Sequence, residues 1–236
     1  MADDMRARLY DAYSSTHAGV ASEAAGALAF RRDILPHLPN SRDVAVVDLG
    51  CGQGQLVKNL LLHGYTNARG IDISPEQVEL AHVAGVNQVE LGDYRNGFDR
   101  SKLDVVTATD FFEHLTKFEV LDAMDRVHAA LRPAGVLILR VPNSVSPFGG
   151  NYRHGDITHE TSFTARSLHQ LGSAARFDAV RVFACPPPVH GAKSLVRRAL
   201  WKAASGAMKL TLAAETGALR GHLVTQNMVA VMQREL

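Results

Sequence analysis

Apolar and polar positions alternate along this chain in two rhythms. Residues 44–49 form a nearly continuous apolar run, Val-Ala-Val-Val-Asp-Leu, which is the pattern of a strand buried on both faces. The run ends in Gly50, Gly52 and Gly54 and passes into Leu56, Leu60 and Leu61 at helical spacing. Comparable runs at 68–73, 88–91, 103–108, 136–141, 179–184 and 226–233 predict six more strands. Between them, helical spacing covers 75–84, 117–131 and 163–175, the first of these opening with Ser74 as cap and Pro75 at the first helical position. Residues 1–39 also read as helical, with Tyr10, Tyr13, Phe30 and Ile34 among their apolar positions. Strands that alternate with helices predict an α/β fold around a doubly wound, mostly parallel sheet.

Two stretches break the alternation. Residues 144–162 carry no periodic pattern but many ionisable groups, and a connection of that length is usually functional or disordered. Residues 185–225 open with three prolines and contain a helical pattern at 193–212, whose face of Leu195, Val196, Ala199, Leu200, Ala203, Ala207 and Leu210 is edged by Arg198, Lys202 and Lys209. Lys193 and Arg197 add to its charge, and no acidic residue falls within it. Such a basic amphipathic helix suits a membrane surface with anionic lipids, a lid over an acceptor groove, or pairing of subunits into an oligomer.

Composition narrows the field. The 236 residues, 46% of them apolar, fit one large domain: a helical lid at 1–40, a core at 44–184 and 226–233, and a helical insertion at 185–225. A net charge of +1 argues against a surface built for nucleic acid. Residues 1–13 carry Asp3, Asp4, Arg6, Arg8 and Asp11 without an apolar block, so a secretory leader is not expected. With Cys51 and Cys185 in different elements, reduced thiols and a cytoplasmic location are expected, at the inner face of the membrane if the basic helix docks there.

The glycine turn carries the chemistry. Glycines let the backbone approach a ligand closely, and the helix beyond offers free N–H groups. The third glycine of a dinucleotide fingerprint is replaced by Gln55, and Asp48 before the turn would repel a pyrophosphate but welcome a cation. Asp48-Leu-Gly-Cys-Gly-Gln-Gly resembles motif I of the class I S-adenosylmethionine-dependent methyltransferases. The resemblance extends over about 44–177 and implies a Rossmann-like, seven-stranded sheet whose last strand is antiparallel and lies between strands five and six. It implies S-adenosyl-L-methionine as cofactor, held by Asp48, Gly50, Cys51, Gly52, Gly54 and Gln55 from the turn. Asp72, with Ile73 beside it, stands about 20 residues on, where an acid reaches a ribose diol; Ser74 caps the next helix, which leaves Asp72 for the ligand. By the same resemblance Asp93 takes the adenine amino group and Tyr94 stacks on the ring, while Tyr10, Tyr13 and His17 lie over the pocket; Gly92-Asp93 also suits a plain surface turn, and the aromatic residues of 1–39 equally suit packing of a helix onto the core.

In doubly wound sheets ligands sit beyond the carboxyl ends of the strands. That puts Asp110, Phe111, Glu113 and His114, which follow strand four, at the floor and rim of the site. The stretch is similar to the Asp/Glu-x-x-Glu-His of ubiquinone-biosynthesis and sugar-modifying methyltransferases, which implies a hydroxyl acceptor. Asp110, Glu113 and His114 are competent ligands for a divalent cation, and the resemblance implies magnesium; as helix-start carboxylates the two acids also suit a site without metal. A sugar hydroxyl needs a base to take its proton, and in 144–162 His159, oriented by Asp156 or Glu160, is the first candidate, with His154 second. The same side chains also suit a purely structural part in pinning the loop. The expected function is O-methylation of a sugar or surface polysaccharide. Methylation of a phenol or quinone precursor, and a cofactor-binding module without catalysis, are the alternatives.

Overall fold

A computed structural model describes residues 23–96, 102–218 and 220–235; Tyr10, Tyr13 and His17 lie outside them. The elements in order are α1 (Glu23–Asp33), β1 (Val46–Leu49), α2 (Gln55–Leu62), β2 (Ala68–Asp72), α3 (Pro75–Val83), β3 (Val89–Leu91), β4 (Leu103–Thr109) and α4 (Lys117–Ala130). There follow β5 (Leu131–Pro142), α5 (Gly149–Gly155), α6 (Ala165–Ala174), β6 (Ala179–Ala184), α7 (Ala192–Thr216) and β7 (Asn227–Gln233). Single 3-10 turns stand at Leu35–His37 and Phe112–His114.

The seven strands form one sheet in the order β3-β2-β1-β4-β5-β7-β6. β1 to β5 pair in parallel, and β7 runs antiparallel to both β5 and β6, as expected. Each central strand divides its residues between two cores, because successive side chains point to opposite faces. Val106, Ala108, Leu137 and Leu139 join the core under α4 and α6. Val105, Ile138, Val229 and Val231 join the core with Phe30 of α1, Ile34 just after it and Leu60 of α2. This two-sided burial is why the strands read as unbroken apolar runs.

Two expectations change. The strand predicted at 136–141 extends back to Leu131, so residues 132–135 lie inside β5; the ladder with β4 shifts register after Leu103, and Ala134 takes a φ of 62°. The loop 144–162 is not structureless: it holds α5, and an isolated bridge joins Asn143 to Phe163. Asn143 anchors it, its buried side-chain amide donating to the Leu223 and Thr225 carbonyls.

Candidate active site

The sheet reverses its strand order between β1 and β4, and a cleft lies beyond their carboxyl ends. Its first wall is the turn after β1. Gly50, Gly52 and Gly54 all have positive φ, of 61°, 52° and 72°. The Gly50 N–H donates to the Ile71 carbonyl at 2.9 Å, which ties the turn to β2. A Cβ on Gly50 would stand 2.6 Å from Cδ2 of Phe111, so the ring closes over the turn only because the backbone there is bare.

Asp72 stitches the turn to the end of β2. Its carboxylate accepts the Gly52 N–H at 2.7 Å and the Ser74 N–H at 2.9 Å. Ser74 does cap α3, accepting the Gln77 N–H, yet Asp72 is already engaged with backbone donors. Each carboxylate oxygen has a second lone pair, so the capacity to accept from a diol remains. Burial pushes the Asp72 carboxyl above its ordinary value, against the pull of those N–H donors.

Eight of the expected cofactor residues line the cleft: Gly50, Gly52, Asp72, Ile73, Asp93, Tyr94, Asp110 and Phe111. The other four stand behind its wall. Cys51 is buried with its Sγ against Gly70, Gly54 packs on Val86 and Val89, and the Gln55 side chain lies on the backbone of Gly26 in α1. Asp48 is 1% exposed and accepts the Thr107 hydroxyl at 2.8 Å. Burial raises its carboxyl to about 7, outweighing that hydrogen bond. Leu49, Ile71, Ser74, Gln77, Gly92, Arg95, His114 and Leu115 complete the lining. Among those the sequence reading left out, Leu49 and Ile71 had a legible signal, being the last apolar residues of their strands; Arg95 had none.

Asp93 does not stand alone at the end of β3. Arg95 grips it with two guanidinium nitrogens, Nε at 2.9 Å and Nη2 at 2.5 Å. Burial raises the Asp93 carboxyl, but the hydrogen bonds and charge of Arg95 prevail and hold it below the ordinary range. The Tyr94 and Phe111 rings meet edge to face at 5.9 Å, an apolar wall beside this ion pair.

Asp110 also departs from expectation. It takes a left-handed φ of 54°, and its carboxylate is paired with Arg140 from the end of β5. Arg140 lies between Asp110 and the buried Asp33 of α1. Asp33 in turn holds Arg32, which donates to the Pro186 carbonyl. One charged chain therefore runs from the cleft rim to α1 and on to the segment before α7.

The far side of the cleft is built by the turn at Phe112–His114 and the segment after α5. Backbone N–H groups of Glu160 and Thr161 donate to the Glu113 carbonyl, and the Thr161 hydroxyl donates to that of Leu115. This pinning brings His114 and His159 edge to face, 4.8 Å between ring centres. His114 Nδ1 lies 2.8 Å from the Thr158 hydroxyl, which donates to Asp156 at 2.6 Å, so His114 is the donor to Thr158. His159 Nδ1 donates to the Tyr152 carbonyl at 2.7 Å, and its Nε2 stands 3.8 Å from Asp156. The His159 tautomer is thus set by Tyr152, not by Asp156 or Glu160, because a carbonyl can only accept. His154 is exposed on α5 and stands outside this cluster.

The expected metal set also regroups. Donor atoms of Glu113, His114 and His159 lie within 4.8 Å of one another, whereas the Asp110 carboxylate is held by Arg140. Glu113 is 2% exposed, and burial, with Asp110 adding repulsion, pushes its carboxyl well above the ordinary range. Magnesium favours near-octahedral oxygen ligands, so two imidazoles and a single buried carboxyl do not fit it.

A methyltransferase-domain family matches residues 22–182. Among curated proteins, the chain is 27% identical to a trans-aconitate 2-methyltransferase of Rhizobium leguminosarum bv. trifolii over 61% of this chain and 57% of that protein. It is 32% identical to one of Azoarcus sp. over 48% of this chain and 45% of that protein. The chain thus spans about half the length of the curated relatives it matches. A SAM-dependent methyltransferase from Archaeoglobus fulgidus shares the fold, with a TM-score of 0.69 at 17% identity over 91% of this chain and 95% of that one.

Proposed function

We propose that this chain, which belongs to a methyltransferase-domain family and has the fold of class I S-adenosylmethionine-dependent methyltransferases, methylates a hydroxyl of a sugar or surface polysaccharide. The cofactor would supply a methyl group on a sulfonium centre. Gly50, Gly52 and Gly92 give bare backbone along the cleft, Asp72 keeps acceptor capacity for a ribose diol, and Tyr94 with Phe111 gives an aromatic wall suited to adenine. The buried Asp48 stands behind the turn as the acid that a positively charged ligand would favour in its ionised form.

One observation carries the hydroxyl reading. His114 lines the cleft and is wired through the Thr158 hydroxyl to Asp156. A hydroxyl acceptor must lose a proton as it attacks, and an imidazole whose other nitrogen donates towards a carboxylate is suited to take it. We assign that task to His114 in preference to His159 and His154, because His114 alone of the three lines the cleft. His159 packs against the His114 ring as a positioning residue, and the carboxyl of Asp156 steadies the charge that His114 would acquire.

A second reading follows from the curated relatives, which are named for trans-aconitate, a carboxylate acceptor. A carboxylate is already ionised and needs a cation to hold it, not a base. Arg95, Arg140 and Arg153, the arginines around the site, are engaged by Asp93, by Asp110 with Asp33, and by the His159 and Glu160 carbonyls. That favours the hydroxyl. Two buried free thiols, Cys51 and Cys185, are consistent with the cytoplasm as the compartment we propose.

The experiment is incubation with methyl-labelled cofactor and separate pools of nucleotide sugars, glycans, catechols and small carboxylic acids. Label in sugar or glycan, lost about 10²- to 10⁴-fold in His114→Gln with cofactor affinity kept within a fewfold, supports the proposal. Label in trans-aconitate or another acid, indifferent to His114→Gln, gives the second reading. Label in catechol makes the acceptor a phenol, and cofactor binding without label in any pool makes the chain a non-catalytic module.

A further inference from the structure

α7 turns an apolar stripe outward as well as inward. Its inward side mixes the polar Ser194, Arg198 and Ser205 with the apolar Trp201, Met208, Leu212 and Ala213, all of them buried or half-buried. The opposite side is apolar: Leu195, Val196, Leu200 and Leu210 are 58%, 61%, 68% and 70% exposed, with the exposed Ala199, Ala203 and Ala207 between them. A helix on a water-soluble surface normally shows a polar outer face.

The outward stripe has a local cause. Ser194 donates to the Gly191 carbonyl at 2.7 Å and accepts the His190 N–H at 2.8 Å, while Arg198 donates to the Pro187 carbonyl at 2.9 Å. These polar side chains fasten the start of α7 to the proline segment, which turns their face inward and the leucines outward. Arg32 holds the same segment from α1 through the Pro186 carbonyl. The helix then runs 25 residues, about 37 Å, to a left-handed Gly217 cap.

Charge identifies the occupant of this face. On helical spacing, Lys193 and Arg197 flank the apolar stripe on one side, and Lys202 and Lys209 flank it on the other; all four are exposed. None forms an ion pair among the described residues, and the first acid of α7 is Glu215 in its last turn. A second copy of the helix would bring cations against cations on both edges. No helix among the described residues is long and apolar enough to cross a membrane. We propose that α7 lies along an anionic lipid surface, with the leucine face among the acyl chains and the four cations at the headgroups. An apolar stripe between two basic edges is the arrangement that an interfacial helix requires. The inference is independent of the acceptor and of catalysis.

The test is flotation of the full chain with vesicles of phosphatidylcholine alone and with vesicles in which part of it is replaced by phosphatidylglycerol. Binding to the anionic vesicles only, weakened by salt, is expected. Lys202→Gln with Lys209→Gln should weaken it roughly thirtyfold. Leu200→Glu with Leu210→Glu should abolish it while helical content and cofactor binding stay unchanged. Failure of the wild-type chain to float with anionic vesicles would overturn the proposal, as would equal binding to both kinds or full binding by the Glu variant. A dimer in sedimentation that Leu200→Glu dissociates, without vesicle binding, would assign the face to a second copy instead.

Discussion

The two sides of the cleft are built on different principles. On the β1 and β2 side, backbone makes the site: three glycines at positive φ, N–H groups tied to Ile71, and Asp72 holding two more. On the far side, side chains from separate segments make it: His114 after β4, and Thr158, Asp156 and His159 from beyond α5. The first can be written in a handful of consecutive residues. The second depends on how a long connection folds back, and such connections vary more readily than the sheet-edge turns opposite.

Substitutions can break or sharpen that contrast. The largest effect is expected from Gly50→Ala, which demands a left-handed φ of 61° and a Cβ 2.6 Å from Phe111. A loss of about 3 to 5 kcal/mol of stability, measured by denaturant unfolding, should come with loss of cofactor binding. An Ala variant of wild-type stability and affinity would show that the cradle does not depend on bare backbone.

Asp48→Asn tests burial against charge. The folded carboxyl titrates at about 7 because it is buried, against 3.8 ordinarily, so the folded state binds the proton more tightly than the unfolded chain does. Its ionisation therefore costs stability progressively as pH rises from 3.8 to about 7, and the full cost stands above that. Without ligand, Asp48→Asn should be more stable by about 4 kcal/mol above pH 7, and the gain should vanish below about pH 4. Unfolding curves across pH check this, and a gain that persists in acid would break the account. Cofactor affinity, measured by titration calorimetry, should fall in the same variant.

Thr158→Val cuts the link between His114 and Asp156. We expect kcat to fall about tenfold with cofactor affinity unchanged, since the hydroxyl belongs to the acceptor side. An equal loss in cofactor affinity would mean that the two sides are not separate. The smallest effect is expected from Thr116→Ala, which removes the capping box that Thr116 and Glu119 form at the start of α4. It should cost about 1 kcal/mol in thermal unfolding and leave the cofactor site intact, marking the background against which the others are judged.

Particular residues show why the sequence speaks for one side and not the other. Gly50, Gly52 and Asp72 could be read directly, because local turn geometry and a fixed distance along a strand-helix-strand unit put them at the sheet's edge. Gln55 was misplaced on the same logic, since only tertiary packing turns it towards Gly26 in α1. Asp110 looked like a metal ligand beside Glu113 and His114, but Arg140, thirty residues on, claims it. His159 looked like the base, but the fold puts His114 at the cleft and His159 behind it.

By itself, then, the sequence determined the sheet, its antiparallel last strand and the glycine cradle, because each follows from periodicity and backbone conformation over a few neighbouring residues. Only the tertiary structure decided which acids are paired, which histidine reaches the cleft, and which face of α7 meets solvent. Those outcomes depend on contacts between distant segments, such as Arg140 with Asp110, Thr158 with His114, and Arg198 with the proline segment before α7. Charge pairing and burial are properties of what comes together in space, and no local pattern encodes them.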